Sequence, residues 1–272
     1  MSARIDDAVA AVLAARERPA PPGALANLAT FAWRALLKIK HGPEQLFDVA
    51  VTPVMFTVMF TYLFGGAVAG SSAVYLQYLL PGIMVQTVMF TSIYTGFTLN
   101  TDIGRGIFDR FRSMPIWAAA PVAGAIAGDM VRHAASAVLV IAVGLILGFR
   151  PEGGVLGVAF AIGLLLVFAA GIGWIFTAVG LIVRTPATVM TMSWLVLMPV
   201  TFLSNIYVDP ATMPDWLAAI VGVNPVALLT TAIRGVIHGR AVAGDIAFAL
   251  IGPAVVAGIF APIAMLLYRR ER

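Results

Sequence analysis

The sequence predicts an all-α membrane protein with six transmembrane helices. Three observations carry that prediction. The 272 residues are 61% hydrophobic and only 11% charged, against roughly 45–50% apolar and about 25% charged in soluble domains. Mean hydropathy is +0.97. Apolar runs of about 18 or more residues recur along the chain, each long enough to cross a hydrocarbon core of roughly 30 Å. This arithmetic excludes a soluble enzyme, a disordered chain and a nucleic-acid-binding domain. The net charge of +4 reflects the placement of basic residues around the spans, and no nucleic-acid partner is expected.

Residues 1–23 read as a cytoplasmic tail. Ile5, Val9 and Leu13 fall at helical spacing, and Pro19-Ala20-Pro21-Pro22-Gly23 ends that helix. Asp6, Asp7 and Glu17, with no continuous apolar stretch, argue against a signal peptide. Residues 24–46 form an amphipathic helix. Leu25, Leu28, Ala32, Leu36 and Ile39 make one stripe, while Asn27, Thr30, Arg34, Lys38 and His41 make the opposite one. A basic polar face flanked by Trp33 suits the cytoplasmic membrane interface, with Trp33, Arg34 and Lys38 as its anchoring residues.

Residues 47–272 are the transmembrane domain. Spans are expected over roughly 47–65, 78–100, 124–148, 155–182, 188–206 and 245–268. The stretch 207–243 holds two apolar pieces, Trp216–Val223 and Val226–Ile237, split by Asn224-Pro225. Each is too short to span, so two short helices dipping into the outer leaflet are expected. With both termini inside, all 17 Lys and Arg except Arg150, Arg234 and Arg240 fall on the cytoplasmic side. The positive-inside rule is decisive at that ratio.

The loop between the second and third spans is the most charged stretch. Asp102, Arg105, Asp109, Arg110 and Arg112 alternate there with Ile107, Phe108, Phe111 and Met114. An apolar edge beside charges of both signs suits docking into a groove of a partner protein, although an ordinary positive-inside loop is the simpler alternative. Within the second span, Thr87, Thr91, Thr95 and Thr98 share one face. Such a stripe faces a helix, a second copy or a wet passage; it also arises where hydroxyls bond back to their own helix. Met192, Met198 and Asn205 are further candidates for lining a pathway. On the third span, Gly124 and Gly128 permit close helix approach. Asp129 precedes Arg132 by one turn, the pattern of an ion pair whose Arg snorkels to the interface. His133 adjoins them. Arg234 with Asp209 or Asp215 is expected to pin the broken segment.

The chain has no cysteine and three separated histidines, so neither a metal site nor a catalytic residue is expected. The only lysines, Lys38 and Lys40, follow Leu37 and Ile39. A phosphate-binding Gly-Lys loop is therefore missing.

The run Tyr78-Leu79-Leu80-Pro81-Gly82-Ile83, followed by Asp109-Arg110-Phe111-Arg112-Ser113-Met114-Pro115-Ile116, resembles the ABC-2 type permeases. Met213-Pro214-Asp215-Trp216, Asn224-Pro225-Val226 and Arg234-Gly235 continue the resemblance in order. Within the family it is most similar to the membrane subunits of daunorubicin/doxorubicin resistance exporters. The resemblance implies a type V ABC exporter-like half-transporter in a bacterial inner membrane. Its partners would be two copies of a separate ABC ATPase, which bind ATP and Mg, and a second permease, identical or homologous. No cofactor is expected on this chain. Asp102–Ile116 would be the coupling helix, with Asp102, Arg105, Asp109, Arg110, Phe111, Arg112 and Met114 meeting the ATPase. Residues 24–46 would be the connecting helix, and 214–237 the extracellular re-entrant hairpin. The expected cargo is a hydrophobic or amphipathic drug or lipid drawn from the bilayer. Polysaccharide or teichoic acid export, and ATP-independent carriage, are the alternatives.

Overall fold

The computed structural model describes residues 23–40, 43–107 and 119–270. Every regular element among them is helical. In chain order these are α1 (Ala24–Lys40), α2 (Pro43–Ala69), α3 (Ser72–Thr91), α4 (Ile93–Gly104), α5 (Ala120–Ile146), α6 (Gly154–Ile182) and α7 (Pro186–Phe202). They continue through α8 (Asp215–Val223), α9 (Pro225–Ile237) and α10 (Ala243–Arg270).

Five of these units are long and apolar enough to cross a membrane: α2, α3 with α4 as one 33-residue run, α5, α6 and α10. The expected second span, 78–100, runs in fact over Ser72–Gly104, starting at the Ser71 cap, whose side chain accepts from the Val74 amide. The expected fifth span, 188–206, is a 17-residue helix, about 26 Å long at 1.5 Å per residue. It ends early because a side chain takes over its terminal carbonyls. Asn224 Nδ2 donates to the carbonyls of Val200 (2.8 Å) and Leu203 (2.7 Å), supplying partners that the last turn of any helix lacks.

The same Asn224 starts the next helix. Its Oδ1 accepts from the Val226 amide at 2.8 Å, an N-cap, and Pro225 sits at the first helical position where its missing N–H costs nothing. The chain consequently turns by 80° between α8 and α9. The break expected at Asn224-Pro225 is there, and one side chain serves both sides of it.

The centre of the bundle is α3. Leu79, Leu80, Ile83, Met84, Val85 and Val88 are each no more than 1% exposed and lie on every side of the helix. A helix buried all round is the core element of its bundle. By contrast α2 and α10 are peripheral and expose Leu63 and Leu266. Where helices touch most closely, glycines make room. A Cβ on Gly180 of α6 would lie 2.6 Å from the Gly96 carbonyl of α4, so only glycine lets these backbones meet.

The amphipathic helix α1 is turned differently from the expectation. Asn27 of its polar stripe is 5% exposed and Arg34 and Lys38 are half-buried, whereas Thr30 is exposed and Leu25 and Trp33 point outward at 82% and 63%. The reason lies on α5. A Cβ on Gly124 would stand 2.3 Å from Phe31 Cβ, and one on Gly128 would stand 2.4 Å from Ala35 Cβ. The paired glycines are the seat of α1, not of another span.

Candidate functional site

Three polar clusters stand out in this apolar bundle. The first joins α1 to α4. Asp102, two residues before the end of α4, is 6% exposed. Arg34 Nη2 approaches its Oδ2 at 3.3 Å, and Lys38 Nζ donates to both of its oxygens. Both basic side chains stay about one-third exposed. Burial lowers the Lys38 ammonium from its ordinary value, and Asp102 opposes that shift. One carboxylate thus fastens the start of the charged loop to α1.

The second cluster lies at a break in the second span. The Thr87, Thr91 and Ser92 hydroxyls donate to carbonyls four residues back at 2.7–2.8 Å, a habit that bends helices. At Ser92 the helical ladder slips. The Thr95 amide bonds the Ser92 carbonyl at 3.1 Å, so the Thr91 carbonyl loses its partner within the helix. Arg132 Nη2 of α5 supplies the replacement at 2.9 Å. Arg132 also pairs with Asp129 at 2.9 Å and lies 5.6 Å from the centre of the Tyr94 ring. Asp129 in turn accepts from the Thr95 hydroxyl. His133 Nδ1 meets Thr91 Oγ1 at 3.0 Å. The expected pair therefore exists, but Arg132 is 4% exposed and does not snorkel. The freed carbonyl holds it inside.

The third cluster gathers at the other end of α3. Arg234 of α9 donates Nε (3.2 Å) and Nη2 (3.1 Å) to the Tyr78 carbonyl and Nη2 to the Asn205 carbonyl at 3.1 Å. Its guanidinium lies 3.7 Å from the Tyr78 ring centre, while the Tyr78 hydroxyl donates to the same Asn205 carbonyl at 2.9 Å. Pro81 has no N–H, which orphans the Gln77 carbonyl. His238 Nε2 fills that vacancy at 3.0 Å. Arg234 therefore pins α9 by hydrogen bonds to carbonyls and by a ring, with the expected Asp209 adding only its charge at longer range. Arg234→Lys keeps the charge but not the planar fork or the stack. It should lower unfolding stability of the detergent-purified protein by about 1–3 kcal/mol; an unchanged melting curve would count against the cluster.

The ABC-2 type transporter family matches residues 26–238, a range that starts in α1, ends just past α9 and contains all three clusters. Over 260 residues the chain is 46% identical to the daunorubicin resistance ABC transporter permease protein of Streptomyces coeruleorubidus, covering 96% of this chain and 92% of that protein. The chain belongs to the ABC-2 type transporter family. A second relative, the doxorubicin resistance ABC transporter permease protein of Mycobacterium tuberculosis, is 30% identical over 139 residues, 49% of this chain and 46% of that protein.

Against that family, this ABC-2 permease is a multi-pass membrane protein whose polar side chains are largely engaged internally. Of the residues expected to meet a partner, Asp102 faces α1 and Arg105 is exposed just past α4. Asp109, Arg110, Phe111, Arg112 and Met114 lie outside the described residues. In the threonine stripe, Thr91 and Thr95 face α5 within one protomer. Thr87 lines a cavity of about 30 Å³ with Gln86 and Pro53, room for one water, and Thr98 is half-buried. Met192 and Met198 are exposed, while Asn205 is 5% exposed and donates Nδ2 to Thr231 Oγ1 at 2.8 Å. The break at Ser92 and its Arg132 cap were missed at the sequence level. The signal for them was the adjacent Thr91-Ser92 pair, whose hydroxyls compete for helix carbonyls.

Proposed function

We propose that this permease exports hydrophobic or amphipathic drug-like compounds, driven by a separate ATPase. The observation that carries the reading is its likeness, along nearly its whole length, to a relative named for daunorubicin resistance. The permease would work as a pair, each copy receiving one ATPase, in a bacterial cytoplasmic membrane with both termini inside. The Asp102 end then faces the cytosol and the Arg234 end faces out. On this reading α1 lies along the inner interface, Leu25 and Trp33 toward lipid, and the bent pair α8–α9 dips into the outer leaflet.

The clamp at Asp102 supports a mechanical role for the loop after α4. ATPase motion delivered to residues 102–116 would reach α1 and α4 together, because one carboxylate joins them. Cells carrying the permease and its partner ATPase should clear an amphipathic dye, and neither component alone should do so. Efflux by the permease alone, without ATP, would overturn the reading. Arg110→Glu and Phe111→Asp should leave the permease in the membrane but abolish its stimulation of ATP hydrolysis; unchanged stimulation would exclude this loop as the docking element.

A further inference from the structure

A cavity of about 570 Å³ opens at the Arg234 end of the bundle, within the roughly 300–1,000 Å³ of small-molecule sites. Arg150, Arg234 and Arg240, the three basic residues that the charge count separates from all the others, line it together with Glu152 and Asp245. Its walls are tied to one another. Gln77 of α3 donates Nε2 to the Gly148 carbonyl at 3.1 Å and accepts from the Arg150 amide at 3.0 Å. The Gly153 amide bonds the Ile237 carbonyl of α9 at 2.8 Å, and the Arg240 amide bonds the Gly235 carbonyl at 2.7 Å. A Cβ on Gly153 would stand 2.5 Å from the Val236 carbonyl oxygen, so this loop sits tightly on α9. The cavity is a preformed part of the fold.

Polar groups of both signs are left unspent there. Arg234 commits Nε and Nη2 to carbonyls, while its Nη1 makes no hydrogen bond among the described residues and is not sealed off. Arg150 meets backbone carbonyls through Nη1 alone. Thr231 Oγ1 accepts from Asn205, and its own proton has no acceptor among the described residues. On α10, half-buried Asp245 makes no hydrogen bond or ion pair among the described residues. A bare anion would face the carboxylates of Asp245 and Glu152, and a bare cation would face three guanidinium groups. A ligand carrying an anion and an ammonium group answers both. Val74 and Gln77 lie on the first two turns of α3, Asp245 on the first turn of α10, and Arg150 and Glu152 between α5 and α6. The lining thus sits where membrane-crossing helices begin and end, at the level of lipid headgroups and not of acyl chains.

We propose that this cavity binds a zwitterionic phosphoethanolamine group, its phosphate received by Arg234, Arg150 and Thr231 and its ammonium by Asp245. Guanidinium donors suit phosphate oxygens, and the carboxylate accepts from the ammonium. A phospholipid headgroup and free glycerophosphoethanolamine share this chemistry. The site is independent of the exporter reading and of its cargo. One ligand there would tie α3, α9, α10 and the α5–α6 loop together.

The intact permease, delipidated in detergent, would be titrated with dioleoyl phosphatidylethanolamine, dioleoyl phosphatidylglycerol and glycerophosphoethanolamine. Native mass spectrometry would count bound copies, and melting curves would be followed alongside. Phosphatidylethanolamine should bind saturably and about fivefold more tightly than phosphatidylglycerol, which has the phosphate but no ammonium; one partly exposed ion pair is worth a factor of that order. Asp245→Asn should erase this preference, and Asp245→Lys should reverse it. Arg150→Gln should weaken both lipids by about threefold. Lipid-free melting curves separate a lost site from a lost fold, and Arg150, being exposed, tests the site even where the Asp245 variants do not fold. Saturation by the diacyl lipid alone supports the site and makes its ligand a membrane lipid. Saturation by glycerophosphoethanolamine with the same dependence on Asp245 supports it and makes the ligand a soluble one. No saturable binding overturns the proposal, and so does equal binding of the two lipids by the native permease. A preference unmoved in Asp245→Asn, or affinities unmoved in Arg150→Gln, also overturns it.

Discussion

Asp129→Ala should be among the most damaging single substitutions in the transmembrane bundle. It removes the carboxylate paired with Arg132 and leaves a guanidinium 4% exposed without that counter-charge. Breaking a buried pair from one side costs about 3–5 kcal/mol. Shifting Arg132 would in turn release the Thr91 carbonyl and weaken the seam between α4 and α5. The expected result is a sharp fall in folded protein recovered from membranes and in unfolding free energy in detergent. The double variant Asp129→Ala with Arg132→Leu removes both charges and should regain much of that loss, because well-packed apolar replacements of buried pairs are often tolerated. If Asp129→Ala costs less than about 1 kcal/mol, the pair is not the anchor described here.

A second large effect is expected at the seat of α1. Gly124→Leu and Gly128→Leu would each drive side-chain atoms into Phe31 or Ala35, where even a bare Cβ lies within 2.4 Å. Overpacking costs roughly 1–3 kcal/mol per site, and α1 can relieve it by lifting off α5. Lifting would also strip Arg34 and Lys38 from Asp102. In inside-out vesicles, trypsin cleavage after Arg34 and Lys38 should accelerate by about tenfold or more in the double variant, since cleavage follows the population of the open form. Stimulation of the partner ATPase should fall in parallel. Unchanged cleavage would mean that the glycines do not seat α1.

Much of the architecture was legible because a bilayer imposes a one-dimensional code. Apolar length marks spans, and Asn224-Pro225 marks a break that no membrane helix hides. The orientation of α1 was not legible. Its moment says which faces differ, but only Gly124 and Gly128, some ninety residues away, decide which face turns inward. Arg132 was unreadable for a related reason. Its partner is a backbone carbonyl set free by a slip at Ser92, and carbonyls carry no letter in the sequence. Met192 drew attention for its softness, and it stands exposed on α7.

The two ends of the bundle are fastened by different physics. At one end Asp102 holds two cations that remain about one-third exposed. At the other Arg234 holds carbonyl dipoles and a ring. Mobile ions screen charges over a Debye length of about 8 Å at physiological ionic strength, and buried contacts shorter than that are screened little. Rising salt therefore reaches the exposed Arg240–Glu152 pair at the Arg234 end before it reaches the buried Asp102 carboxylate. What salt leaves at each end is what burial protects: the Asp102 clamp over the glycine seat of α1, and the carbonyl and ring contacts of Arg234.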